Sequence, residues 1–146
     1  MEELGFLIEE FWKWTGLPRE KWGQFDIAGL PVDVTTFPRL GEVCDACIRC
    51  INKPLSGEEM ELFLVGLAMD AENEDILDAC KDRAGVTFVS DMLCAGVSHP
   101  QSEARWQLTE LLRKEIPQRE HYLHILLADP DAYVRKRAGN IAESII

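Results

Sequence analysis

The sequence predicts an all-α chain: a right-handed α-solenoid of antiparallel helix pairs with a divergent N-terminal cap. Three observations predict it. The element Ala128-Asp129-Pro130-Asp131-Ala132-Tyr133-Val134-Arg135-Lys136-Arg137-Ala138 is matched thirty residues upstream by Ser98-His99-Pro100-Gln101-Ser102-Glu103-Ala104-Arg105-Trp106-Gln107-Leu108. A repeat with a period of about 20–50 residues marks stacked structural units. Apolar residues recur at helical spacing through most of the chain. Finally, β-branched residues cluster only at Val32–Thr36 and Val86–Val89, runs too short to compete as a sheet.

The elements follow in order. Residues 2–15 place Leu4, Leu7, Ile8, Phe11 and Trp12 on one helical face, and Gly16 with Pro18 stops the helix. Residues 17–38, rich in Gly, Pro and Asp, read as loop and short turns with Trp22 and Phe25 tucked onto the core. A helix is expected from Arg39 to Asn52, ended by Pro54. Ser56-Gly57-Glu58-Glu59 supplies an N-cap with acids in the first turn, and the helix after it carries Met60, Phe63, Leu64 and Leu67 on one face. Further helices are expected over Glu72–Arg83, Val86–Ala95 and Gln101–Glu115. Pro117 opens another that ends near Ala128, and Asp129-Pro130 opens the last, which runs almost to Ile146. Asp129 is read as the cap and Pro130 as the first helical residue, where a missing N–H costs nothing.

At 146 residues the chain is long enough for one domain burying roughly 68–70% of its unfolded surface. The expected layout is divergent N-terminal helices and loop at 1–54, a weak repeat at 55–84, and clear repeats at 85–115 and 117–146. Met1-Glu2-Glu3 lacks the basic start of a secretory leader, no apolar run approaches membrane-spanning length, and the five cysteines show no disulfide-scaffold spacing. A cytoplasmic protein is expected, with no membrane partner.

The net charge of −11 is unevenly distributed. Residues 1–80 hold seventeen acids against six bases, whereas residues 81–146 hold nine of each. Between Pro54 and Cys80 lie Glu58, Glu59, Glu61, Asp70, Glu72, Glu74, Asp75 and Asp78, with no Lys or Arg. A field of that sign repels phosphate backbones and attracts basic partners, which disfavours nucleic acid.

No motif points to catalysis or to a cofactor. Cys44-x-x-Cys47-x-x-Cys50 has part of an iron–sulfur spacing, but that run needs a fourth Cys followed by Pro, and Lys53 precedes Pro54. With Val43, Ile48 and Ile51 beside them, these cysteines read as an apolar helix face. His99, His121 and His124 sit in no nucleophile–base signature. The run Asp70–Asp75 departs from a calcium loop, with Asp75 at the sixth position and Lys81 at the twelfth. Neither metal nor cofactor is expected, and no enzymatic activity. Among the aromatics, Trp12 reads as core, Trp14 as packing of the cap, and Trp106 as half-exposed beside the repeat Arg, where it suits an interface anchor.

The last sixty residues resemble short HEAT-like repeats of about thirty residues, whose second helix opens with D-P-x-x-x-V-R-x-x-A. Asp129, Pro130, Val134, Arg135 and Ala138 match that element; Pro100, Ala104 and Arg105 match it upstream, with His99 for Asp and Leu108 for Ala. The resemblance implies pairs of antiparallel helices, with Arg105 and Arg135 as links between units. Size, charge and fold together are also similar to some bacterial immunity proteins, which neutralise a cognate toxin. The expected function is therefore a protein-binding module that captures a basic partner, such as a toxin domain, on an acidic surface. Its expected contact residues are Glu58, Glu59, Asp70, Glu72, Glu74, Asp75, Asp78 and Trp106. The alternative is a HEAT-like DNA-repair or nucleic-acid-binding protein that uses Arg105, Trp106, Arg135, Lys136 and Arg137 in the basic C-terminal repeats.

Overall fold

In a computed structural model that describes residues 1–145, the chain forms eight α-helices joined by turns, with no strand among the described residues. The helices are α1 (Glu2–Thr15), α2 (Leu40–Cys50), α3 (Gly57–Met69), α4 (Asp75–Arg83), α5 (Val86–Gly96), α6 (Ser102–Leu111), α7 (Arg119–Leu127) and α8 (Ala132–Ser144). No described helix is long and apolar enough to cross a membrane. The all-α class expected from the periodicity is therefore observed. The connection between α1 and α2 consists of loop and three short 3-10 turns.

Local chemistry sets the helix ends. Gly16 takes a left-handed φ of 77° and closes α1 through its N–H to the Lys13 carbonyl. Ser56 and Glu59 form a reciprocal capping box at the start of α3. Several boundaries differ from expectation: α6 ends at Leu111 rather than Glu115 and α2 at Cys50 rather than Asn52, and three helix starts are displaced. Helix α4 starts at Asp75 rather than Glu72, because Glu74 is left-handed (φ 58°) and the Asp70 carboxylate accepts the Ile76 N–H at 2.8 Å. Helix α7 starts at Arg119, after a left-handed Gln118 (φ 62°), so Pro117 lies in the preceding turn. Helix α8 is capped by Asp131, whose carboxylate accepts the N–H groups of Tyr133 and Val134. Asp129 and Pro130 thus precede the cap instead of forming it, since the Asp129 carboxylate is committed elsewhere.

Most helices two apart in the chain pack on one another: α1 on α3, α3 on α5, α2 on α4, α4 on α6 and α6 on α8, but not α5 on α7. Helix α3 also meets α2 and α6. It was expected to have one apolar face, yet every residue from Phe63 to Met69 is buried, as suits a helix with neighbours all round. Along α2 and α4, Cys44, Cys47, Cys50 and Cys80 are buried thiols. Burial pushes Cys47 well above its ordinary pKa and Cys80 up to about 12, so both stay protonated at neutral pH. No group of three or more His, Cys, Asp or Glu among the described residues is placed to hold a metal ion.

The turns gather at two ends. At one, Asn52 joins the α2–α3 turn to the α4–α5 turn by bonds to the Arg83 carbonyl (2.8 Å) and the Gly85 N–H (2.7 Å). Lys114, from the α6–α7 turn, donates to the Ala84 carbonyl there. At the other end lie the long α1–α2 connection and the α3–α4, α5–α6 and α7–α8 turns.

Candidate binding groove

At that second end, Arg105 on α6 forks the Asp129 carboxylate, Nε to Oδ2 at 2.9 Å and Nη2 to Oδ1 at 3.2 Å. Its remaining nitrogen, Nη1, donates to the His99 carbonyl at 2.7 Å. Arg135 repeats this last bond one unit on, donating to the Asp129 carbonyl at 2.7 Å. Arg105 thus bridges the α5–α6 and α7–α8 turns, as its place in the repeated element implied, whereas Arg135 bonds within the turn before its own helix and does not form the expected link to another unit.

Beside these turns opens a cleft of about 360 Å³ lined by Ala28, Ala71, Glu72, Ser102, Glu103, Trp106, Asp131 and Tyr133. A smaller one of about 170 Å³ shares Ala28, Ala71, Glu72 and Glu103 with it and extends it to Leu30, Val32 and Asp33. The two make one groove. Its carboxylates are Asp33, Glu72, Glu103 and Asp131, and no Lys or Arg lines it among the described residues.

Each carboxylate has a different degree of commitment. Asp33 accepts the Thr35 hydroxyl (2.6 Å) and N–H (3.0 Å), bonds that lower its pKa. Asp131 caps α8. Glu103 accepts the Trp106 indole N–H at 2.6 Å. Glu72 is exposed on the α3–α4 turn and makes no hydrogen bond or ion pair within the described residues.

Trp106 is more enclosed than expected, at 7% exposure. The Arg137 guanidinium lies 4.5 Å from its ring centroid and the Tyr133 ring meets it edge-on at 5.6 Å. Arg137 is held there by Glu110 (2.6 Å) and the Tyr133 hydroxyl (2.8 Å). The accessible aromatic of the groove is Tyr133, 46% exposed, which sequence reasoning missed. Its signal was its register: Tyr133 occupies in the repeated element the position that Glu103 holds upstream.

The predicted contact residues do not form one patch. Glu72 and Trp106 meet in the groove. Glu58 and Glu59 begin α3 at the opposite end of that helix, about 18 Å away along its axis at 1.5 Å per residue, and Glu59 is occupied in the capping box. Glu74, Asp75 and Asp78 belong to the start of α4 and line no part of the groove. Asp70 corrects the expectation outright. It is 1% exposed, so it presents nothing to a partner, and its carboxylate serves the turn before α4. Burial raises its pKa, against the lowering effect of bonds from Ile76 and Cys44.

The basic residues offered for nucleic acid are largely committed to internal partners. Arg105 is buried against Asp129, and Arg137 is spent on Glu110, Tyr133 and Trp106; only Arg135 and Lys136 are exposed. A further cleft of about 410 Å³ beside the α5–α6 and α7–α8 turns is lined by His99, Arg105 and Asp129, whose polar atoms are already paired. Compared with known proteins, the chain matches no family model, no curated protein and no solved structure.

Proposed function

We propose that the chain is a non-enzymatic binding module whose groove receives a basic segment of a partner protein, the role an immunity protein plays toward a basic toxin domain. The observation that carries this reading is the groove itself. Four carboxylates and an exposed tyrosine share one continuous depression free of basic lining residues. A Lys or Arg side chain entering it would find charge-assisted acceptors at Glu72 and Asp131 and the Tyr133 ring alongside. The overall charge of −11 adds long-range attraction, which raises the encounter rate.

The same proposal reads the pairs α3/α4, α5/α6 and α7/α8 as short HEAT-like units of a solenoid, with α1 and α2 as a divergent cap. Packing within α5/α6 and α7/α8, and of α6 on α8, supports it for the last two units; α3 packs on α2, α5 and α6 rather than on α4. The bond between Arg105 and Asp129, which links one pair to the next, supports it too. In that architecture the turns at one end form a row, and a row of turns suits an extended ligand. The internal pairing of Arg105 with Asp129 and of Arg137 with Glu110 argues against the nucleic-acid alternative.

Co-purification from the host tests the reading. The unmodified chain and a Glu58→Lys control are expected to retain the same basic protein, whereas Glu72→Lys loses it. Failure to recover any basic protein, or equal retention by Glu72→Lys, would contradict the proposal.

A further inference from the structure

The α5–α6 and α7–α8 turns are the same device built twice from different acceptors. In the α7–α8 turn the Asp129 carboxylate accepts the Asp131 N–H at 2.9 Å. Thirty residues upstream, His99 Nδ1 accepts the Gln101 N–H at 3.1 Å. Because Nδ1 is the acceptor, the ring proton sits on Nε2, which donates to Glu61 at 2.8 Å. The His99 side chain is only 1% exposed. A carboxylate keeps its acceptor role down to about pH 4, whereas an imidazole loses it near neutrality.

The residue two positions after the acceptor differs in a matching way. Asp131 caps its own helix, but Gln101 leaves that task to Asp26 of the long loop, which accepts the Ser102 N–H at 3.3 Å. The Gln101 carboxamide turns outward to the same loop. It accepts the Ile27 N–H at 2.7 Å and donates to the Phe25 carbonyl at 2.6 Å. Residues 25–28 are thereby fastened to the start of α6 across 74 to 76 residues of sequence. Ala28 forms part of the groove wall.

We propose that His99 and Gln101 form a proton-operated latch that holds the loop wall of the groove in place. Protonating His99 puts a hydrogen on Nδ1, so that two donors face each other and the Gln101 amide must move. Its carboxamide moves with it and releases Ile27 and Phe25. The charged groups facing the imidazole are Glu61 from α3, Arg105 from α6 and Asp26 from the loop, with Asp129 compensating Arg105. Glu61 and Asp26 favour the cation while burial and Arg105 oppose it, and burial prevails. The latch is therefore closed at neutral pH and opens below the ordinary histidine range. Its consequence for binding rests on the groove reading above; the latch itself does not.

Amide exchange on the full chain without any partner tests the latch. The protection of Ile27, corrected for intrinsic rate, should fall at least about tenfold between roughly pH 7.5 and pH 5. In His99→Asn, whose carboxamide oxygen replaces Nδ1 and does not titrate, it should stay level. Unchanged protection in the unmodified chain, or an equal fall in the variant, would overturn the proposal. Imidazole nitrogen shifts of the unmodified chain give a second measurement that needs no variant. They should show the Nε2–H tautomer at neutral pH and a titration midpoint coincident with the loss of Ile27 protection. The opposite tautomer, or midpoints that diverge, would refute it. Loss of groove binding at neutral pH with an intact latch would count against the groove reading alone.

Discussion

Asp129 is the side chain on which the turns at the groove end depend most. Its side chain is 2% exposed and balances Arg105, itself largely buried, while also accepting the Asp131 N–H. Removing it leaves a guanidinium without its counter-charge, a loss of about 3–5 kcal/mol for a buried pair. Asp129→Ala should therefore lower the urea midpoint strongly, and Asp129→Asn by less, since the amide keeps one acceptor. A loss below about 1 kcal/mol for the alanine variant would mean that water reaches Arg105. His99 supplies the pH term. Burial holds its folded pKa below the unfolded value of 6.5 against the pull of Glu61, so the unfolded chain binds the extra proton first. Its contribution to stability is full above that value and declines as pH falls through it and on towards the lower folded pKa. Chemical unfolding across about pH 7.5 to 5 should show this decline in the unmodified chain and a flatter profile in His99→Asn.

Among the elements, α2 and α3 meet at a close approach that the sequence does not advertise. A Cβ on Gly66 would run into Cys47 Sγ, with Val43 Cγ1 also at 3.4 Å. Gly66→Ala should cost about 1–3 kcal/mol by overpacking, and adding Cys47→Ala should restore much of it by vacating the volume of the sulfur. A double-mutant cycle on thermal unfolding measures that coupling; additive effects would show that the helices slide apart instead. Helix existence was legible because apolar spacing, Gly16 and the Ser56 cap are local signals. Helix starts were less so. Asp129-Pro130 resembles a cap and first turn, yet Asp129 is drawn away by Arg105, which lies 24 residues distant. Likewise, the acid-rich stretch after Met69 reads as helix by composition, but the buried Asp70 turns it back before α4 begins.

For the whole molecule, the question is how charge is distributed over a helical framework. Composition identified an acidic N-terminal half, and the fold divides those acids between two ends and the side of α4. Glu72 and Trp106 alone of the expected contacts share the groove. Asp33, Glu103, Asp131 and Tyr133 complete it from elements far apart in sequence, so no local motif announces them. The loop of residues 17–38 was legible as loop, but its role as a wall depends on Gln101, 74 residues from its partner Ile27. If the groove is where charge acts, affinity for a basic ligand should fall steeply with ionic strength, because exposed carboxylates are screened within about 10 Å at 0.1 M salt.

The most direct measurement is a titration of isotope-labelled protein with an arginine-rich peptide at low salt, followed by amide and indole shifts. Saturable shifts are expected, centred on Ala28, Ala71, Glu72, Tyr133 and the Trp106 indole and abolished by Glu72→Lys, with Glu58, Asp75 and Asp78 little changed. Shifts spread evenly over all exposed acids, or centred on the start of α4, would contradict the groove reading.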